Sequence, residues 1–149
     1  MNNKTKQQMK NNPFCQPYGT PFDAFPYDRI TLEHFIPAVE EGIKQEEKNI
    51  ENICNNSSPA TFENTILPYE RGGKMLGDVL CAFNALIYSH SYDERVRVEE
   101  EIQQKYIEHR NNITLNDNLF ARIKNVYENM PPTLTEEQKR LTEEIYTAF

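Results

Sequence analysis

One apolar stripe in the stretch from Thr61 to His90 constrains the fold more than any other feature of the sequence. Its residues recur at alternating steps of 4 and 3, so they share one side of a helix: Phe62, Ile66, Tyr69, Gly73, Leu76, Leu80, Phe83 and Ile87. Val79 and Leu86 widen this stripe. Because such a broad apolar face must be buried by several neighbours, the sequence predicts a central helix with other helices packed around it.

Three residues inside this stretch disfavour a straight helix. Pro68 has no backbone N–H to donate to the carbonyl of Asn64, and Gly72 and Gly73 follow it closely. We therefore expect a kink or a short break at Leu67–Gly73.

Apolar periodicity and residues that cap helix ends predict further helices. The first runs from Thr31 to about Cys54, with a separate first turn over Leu32–Ile36. The next begins near Asp93, which is expected to be its cap, and ends near Asn112. The last two run from Asn116 or Asn118 to Met130 and from Thr135 to Phe149. Their stripes are Phe35, Val39, Ile43, Ile50 and Ile53; Ile102, Tyr106, His109 and Ile113; Leu119, Ile123, Val126 and Met130; and Leu141, Ile145 and Phe149. Glu46 interrupts the first stripe without a reason visible in the sequence. No segment alternates as a strand does, so the predicted class is all-α, with about five helices in a bundle-like array.

The N-terminal residues are predicted to form a tail and an arm. Residues 1–12 are polar and are expected to be a disordered tail, followed by a helical domain over residues 13–149. The segment from Pro13 to Asp28 is rich in proline, which favours extended backbone. Its aromatic side chains are expected to pack onto the helices: Phe14, Tyr18, Phe22, Phe25 and Tyr27. The alternative is a proline-rich ligand for another protein.

Charge and cysteine content exclude several classes of partner. The formal net charge is −7 and there is no basic stripe, so we expect neither nucleic acid nor an anionic membrane surface as a partner. No apolar run is long enough for a membrane span or a signal peptide. Cys15, Cys54 and Cys81 form no Cys-x-x-Cys pair, and we expect Cys54 and Cys81 to be buried thiols. These features predict a cytoplasmic protein.

The residues suited to chemistry form no catalytic pattern. His34 is expected to bond nearby backbone, and His109 to be a hydrogen-bonded core residue because it lies on an apolar stripe. A predicted turn separates the side chains of His90 and Glu94. No His-Glu-x-x-His, Gly-x-Ser-x-Gly or phosphate-loop motif is present. We therefore predict no catalytic, cofactor-binding or metal-binding residue in these 149 residues.

Three stretches nevertheless resemble a known family. The first comprises Asn12-Pro13-Phe14, Pro17-Tyr18, Thr20-Pro21-Phe22 and Ile30 to Ala38; the second is Pro59-Ala60-Thr61-Phe62-Glu63-Asn64-Thr65-Ile66; the third comprises Ile113-Thr114-Leu115-Asn116 and Leu119-Phe120-Ala121-Arg122-Ile123-Lys124. Together they resemble the N-terminal region of the zinc metallopeptidases that include thimet oligopeptidase, oligopeptidase A and bacterial peptidyl-dipeptidase. The resemblance covers about Asn12 to Phe149 and looks closest to the peptidyl-dipeptidase branch.

This resemblance implies a fold and a role rather than a site. Family members are longer, mostly helical, and enclose a deep channel that admits the short peptides they hydrolyse. Their one zinc ion is held by a His-Glu-x-x-His helix and a later Glu, both far toward the C-terminus, so no ligand or catalytic residue carries over to this chain. We expect a non-catalytic segment that forms part of the channel wall. Its partners would be the C-terminal catalytic part of the same parent chain and, in the whole enzyme, short peptides.

The alternative is a free-standing helical protein-interaction module without enzymatic activity. Phe149 lies on the apolar stripe of the last helix, and no capping residue follows it. This ending predicts that the parent chain continues. The isolated chain is then expected to expose an apolar patch and to self-associate through it.

Overall fold

The computed structural model describes residues 11–86 and 92–149, with the side chain of Tyr92 excepted, and these residues form helices and connecting turns. No strand occurs within the two described ranges, so the predicted all-α class is confirmed. Within the same ranges, no helix is both long enough and apolar enough to cross a membrane.

The predicted helices are all present, and the central one is divided. In chain order the α-helices of the described ranges are α1 (Phe35–Cys54), α2 (Leu67–Gly72), α3 (Lys74–Leu86), α4 (Tyr92–Thr114), α5 (Asp117–Glu128) and α6 (Glu136–Thr147). A separate 3-10 turn, Leu32–His34, precedes α1, so the predicted separate first turn is present but is shorter than Leu32–Ile36. Helix α4 begins before Asp93, so Asp93 lies in its first turn rather than at its cap.

The helix around Pro68 is interrupted in two parts, one just before the predicted range Leu67–Gly73 and the other at its end. A π-helical turn, Phe62–Ile66, comes directly before α2. This wider turn precedes the proline, whose missing N–H interrupts the α-helical ladder. The second part is Gly73, whose φ of −83° and ψ of 3° end the α-helical run. Ile87 and His90, at the end of the predicted stretch, lie outside the described residues.

Local capping residues fix where several helices begin. The Thr61 hydroxyl accepts from the Asn64 N–H at 3.3 Å, and the Thr61 N–H donates to Asn64 Oδ1 at 2.9 Å. Thr135 and Gln138 make the same reciprocal pair, also at 3.3 and 2.9 Å. Asn116 caps α5 with its side-chain oxygen. These caps agree with the predicted helix starts and satisfy N–H groups that the helices leave free.

The chain divides into two compact units, each with its own core. Among the described residues, the first unit is drawn from Met1–Lys44 and Lys74–Ile107, and the second from Gln45–Gly73 and Glu108–Phe149. The core of the first unit contains Phe14, Ile30, Phe35, Ala38, Val39, Leu76, Val79, Ala82, Phe83 and Ile102. The core of the second unit contains Ile50, Ile53, Phe62, Ile66, Ile113, Leu119, Ile123, Val126, Leu134 and Ile145.

The N-terminal arm packs into the first unit through part of its predicted set of rings. Phe14 is buried, and its ring centroid lies 5.3 Å from that of Phe35. Phe35 in turn lies 5.0 Å from Phe83 of α3. Tyr18 and Phe25 are partly buried, with an edge-on contact at 5.6 Å. The arm therefore adds a chain of aromatic contacts to this core, as predicted for these rings.

Two aromatic residues of the arm do not pack as predicted. Phe22 is fully exposed, and Tyr27 is 42% exposed. Phe22 and Asp23 adopt left-handed backbone, with φ values of 59° and 55°. This turn leaves the Phe22 ring in solvent rather than against the helices.

Asn12 belongs to the packed arm rather than to a tail. Its side chain is buried, accepts from the Phe14 N–H at 3.1 Å and donates to the His34 carbonyl at 2.8 Å. Of the predicted disordered tail over residues 1–12, residues 1–10 lie outside the described ranges.

Two further side chains were predicted to be buried and are exposed. Tyr106 is 37% exposed because it lies at the edge of its stripe, about 60° round α4 from His109. Cys81 is exposed because it follows the buried Val79 by two residues and so points to the opposite side of α3.

Candidate functional site

A buried pair of titratable side chains, Glu46 of α1 and His109 of α4, lies in the second unit. Glu46 is 7% exposed and His109 is 2% exposed. His109 Nε2 lies 2.9 Å from Glu46 Oε2, within hydrogen-bond distance. The hydrogen-bonded core histidine predicted from the sequence is therefore confirmed. The same contact explains why a carboxylate interrupts the apolar stripe of α1.

Two glycines leave room for polar side chains of α1. A Cβ atom on Gly73 would lie 3.1 Å from Glu46 Oε1, closer than most van der Waals contacts. A Cβ atom on Gly72 would collide with the side-chain amide of Asn49. That amide donates to the Pro68 carbonyl at 2.8 Å. The glycines that disfavour a continuous helix therefore also permit these close contacts.

A groove of about 310 Å³ opens in the second unit beside His109. Its lining residues come from α1, α4 and the start of α5: Glu47, Ile50, Glu51, Cys54, His109, Asn112, Ile113, Asn116 and Asn118. The lining thus combines two carboxylates and three side-chain amides with the apolar side chains of two isoleucines. Sequence reasoning missed this groove because its residues are far apart in the chain.

The second ring nitrogen of His109 has no hydrogen-bond partner. Nδ1 is buried and unpaired, whereas Nε2 is taken by Glu46. The nearest charged oxygen given by the structure is Glu47 Oε1 at 3.9 Å, beyond hydrogen-bond distance. His109 and Glu47 both line the groove, whereas Glu46 does not.

The thiol in this groove is poorly suited to act as a nucleophile. Burial raises the pKa of Cys54, and the nearby Arg122 and a hydrogen bond to Asn116 offset that rise only in part. The sulfur lies 4.0 Å from Asn116 Oδ1, so the protonated thiol can donate to that amide. A thiol with a raised pKa holds little of the reactive thiolate near neutral pH.

A second groove, of about 720 Å³, lies in the first unit. Its lining comes from the 3-10 turn before α1, from α1 and from α4: Thr31, Leu32, Glu33, Ile36, Asp93, Glu94, Arg97 and Val98. The polar side chains are carboxylates, a hydroxyl and a guanidinium, and they form no pattern of nucleophile and base.

The zinc ion implied by the family resemblance does not fit the described residues. In residues 11–86 and 92–149, no group of three or more histidine, cysteine, aspartate and glutamate side chains is placed to hold a metal. His34 Nδ1 accepts from the Thr31 N–H at 3.1 Å, as predicted, and His109 is paired with Glu46. His90 lies outside the described residues.

Arg122 joins the second and third of the family-like stretches. Its Nη1 donates to the Asn56 and Ser58 carbonyls at 2.8 and 3.2 Å. Its Nη2 donates to Asn64 Oδ1 at 3.2 Å and to Thr65 Oγ1 at 3.4 Å. Several residues that carry the resemblance therefore hold the second unit together.

Known proteins match the chain over nearly its whole length. It is 34% identical over 142 residues to the dipeptidyl carboxypeptidase of Salmonella typhimurium and 35% identical over 139 residues to that of Escherichia coli. These matches cover 95% and 93% of the chain. The chain is homologous to this peptidase family. The recognition made from the three sequence stretches is thus confirmed.

The matches cover a much smaller part of the relatives. The chain spans 21% and 20% of the two dipeptidyl carboxypeptidases, about a fifth of their length, which is consistent with an N-terminal region of the family. Oligopeptidase A of Escherichia coli is 27% identical over 88 residues, covering 59% of the chain and 12% of that protein. The higher identity to the dipeptidyl carboxypeptidases agrees with the branch predicted from the sequence. No protein-family model matches the chain.

Proposed function

We propose that the chain is a non-catalytic N-terminal helical segment of a zinc-dependent oligopeptidase of the peptidyl-dipeptidase type. The observation that carries this proposal is an alignment over 95% of the chain but only 21% of a dipeptidyl carboxypeptidase. Hydrolysis of peptide bonds in oligopeptides then belongs to the whole enzyme. The partner of the segment is the C-terminal catalytic part of the same parent chain.

Within that enzyme, the segment forms part of the wall of a channel that admits short peptides. The polar contacts of the second unit support this role because they hold helices in place. The Glu46–His109 pair is buried, and Arg122 is bonded to the backbone at Asn56 and Ser58. Groups used in this way fix the shape of a wall rather than react with a substrate.

The zinc ligands are assigned to the catalytic part of the parent chain. The sequence of the segment lacks a His-Glu-x-x-His motif, and its described residues lack a three-ligand group. A cytoplasmic location is part of the proposal and is supported by Cys15, Cys54 and Cys81, which are free thiols.

The second candidate is a free-standing helical interaction module. The observation in its favour is that each compact unit has a buried core of its own. Free backbone N–H groups at helix starts in the second unit also donate to side chains of that unit, as at Thr61 and Thr135. These features are those of a chain that can fold without further segments.

The DNA sequence downstream of the codon for Phe149 separates the two candidates. A reading frame that continues for several hundred codons and encodes His-Glu-x-x-His followed by a later glutamate is the expected result. A stop codon directly after Phe149 would contradict the peptidase segment and favour the module.

A further inference from the structure

The side chains that line the groove beside His109 carry negative charge, as the lining of a cation site does. Its carboxylates, Glu47 and Glu51, stand one turn apart on α1, and no lysine or arginine is among its lining residues. The other polar side chains of the lining, apart from His109 and Cys54, are neutral amides, which can accept hydrogen bonds through their oxygens. The groove therefore favours a positively charged ligand that donates hydrogen bonds.

His109 supplies a second observation that points to a donor. In the neutral tautomer whose Nε2–H donates to Glu46, Nδ1 carries a lone pair and can only accept. This atom is buried without a partner, and a buried acceptor without a donor is costly. Glu47 cannot satisfy it as a carboxylate, because an ionised carboxylate only accepts, and it lies 3.9 Å away. A donor placed between Nδ1 and Glu47 would serve both groups.

The shape and chemistry of the groove favour an organic cation. The described residues offer no metal-binding group of three ligands. Ile50 and Ile113 add apolar surface beside the polar groups, which suits a short aliphatic stem. The volume of about 310 Å³ is at the small end of ligand sites in proteins.

We propose that the groove lined by Glu47, Glu51 and His109 binds a primary ammonium group on a short aliphatic stem. The ammonium donates to Nδ1 of His109 and to the two carboxylates, and the stem contacts the two isoleucines. Such a group occurs in a lysine side chain and at the N-terminus of a peptide. This inference concerns the isolated chain and does not depend on the proposed peptidase function.

Isothermal titration calorimetry of the full chain tests the proposal with matched probes. n-Butylammonium, Nα-acetyl-lysine methylamide and Ala-Ala-amide carry the ammonium, whereas n-butanol and N-acetyl-Ala-Ala-amide do not. We expect at least one ammonium probe to bind about tenfold more tightly than its neutral counterpart, since hydrogen bonds to charged groups are the stronger ones. The lysine and peptide probes distinguish the two sources by their relative affinities.

Variants locate the binding in the groove. Glu47→Gln and Glu51→Gln replace exposed residues, so both chains should fold, and each should weaken ammonium binding several-fold. Glu137→Gln on α6 removes an exposed carboxylate outside the groove and should leave the affinity unchanged. Binding that is equal in all of these chains would overturn the proposal.

Nitrogen-15 NMR of the His109 ring gives a readout that a purely structural role would not move. The proposal requires an unprotonated Nδ1 in the free chain, with a resonance that shifts when n-butylammonium is added. The proposal is overturned if Nδ1 is protonated in the free chain, if no ammonium probe binds, or if the neutral probes bind equally well.

Discussion

The two compact units bury their interiors in different ways. Among the described residues of the first unit, those that are buried are apolar apart from Asn12. The second unit buries four polar or charged residues, Glu46, Thr65, His109 and Thr142. An apolar core loses stability mainly when volume is removed, whereas a polar core loses it when one partner is left unpaired. The two units should therefore respond to different classes of substitution.

The largest effect is expected from breaking the buried pair in the second unit. His109→Leu leaves the Glu46 carboxylate buried without its partner, which should cost about 3–5 kcal/mol of unfolding free energy. Urea denaturation followed by circular dichroism measures this loss. The double variant Glu46→Leu with His109→Leu should recover much of it, and Glu137→Gln serves as an exposed control away from the pair. A single variant that is as stable as the control would show that the pair is not important.

The first unit should be most sensitive to loss of an aromatic ring. Phe14→Ala removes a buried ring from contact with Phe35 and should destabilise the chain by about 3 kcal/mol. Phe22→Ala removes a fully exposed ring and should change stability by no more than about 0.5 kcal/mol. Equal losses in the two variants, measured by the same denaturation, would mean that Phe22 also packs.

Removing the guanidinium of Arg122 tests the polar organisation of the second unit. Arg122→Met leaves the Asn56 carbonyl and other acceptors without their donor, at a cost of about 1–3 kcal/mol. The matched control is Arg140→Met, which breaks an exposed pair with Glu144 worth about 0.5 kcal/mol or less. If thermal melts place both variants at the same stability, the Arg122 contacts contribute no more than a surface pair.

Thiol labelling gives the smallest effect and compares the two units directly. Cys81 of the first unit is exposed, whereas Cys54 of the second has its pKa raised by burial. A raised pKa means less thiolate near neutral pH, so Ellman's reagent should modify Cys81 first. The Cys54 rate should then rise as the pH increases toward its pKa. Faster labelling of Cys54 in a Cys15→Ser background would contradict this order.

Local features of the structure were predictable, and partners distant in the chain were not. Thr61 and Thr135 predict the starts of their helices because each cap involves only a residue three positions further along the chain. Glu46 and His109 were each recognised as unusual on an apolar stripe. Their pairing spans 63 positions in sequence, so it depends on how the helices pack.

Exposure was predicted less well than helical periodicity. Phe22 was expected to be buried because aromatic rings usually are, but left-handed backbone places it in solvent. The groove beside His109 was not foreseen, since its lining combines residues of α1 with residues near the start of α5. A stripe indicates which side of a helix is apolar, but the neighbouring elements decide how much of that side is covered.

The central claim is that these residues carry no zinc peptidase centre of their own. The most direct test is to measure the zinc content of the desalted, purified chain by mass spectrometry. The same preparation is assayed for hydrolysis of a fluorogenic oligopeptide. Because a catalytic zinc needs three protein ligands and an open position, we predict far less than one zinc per chain and no hydrolysis above buffer. The dipeptidyl carboxypeptidase of Escherichia coli is the positive control. One tightly held zinc per chain, with hydrolysis that a chelator abolishes, would contradict the claim.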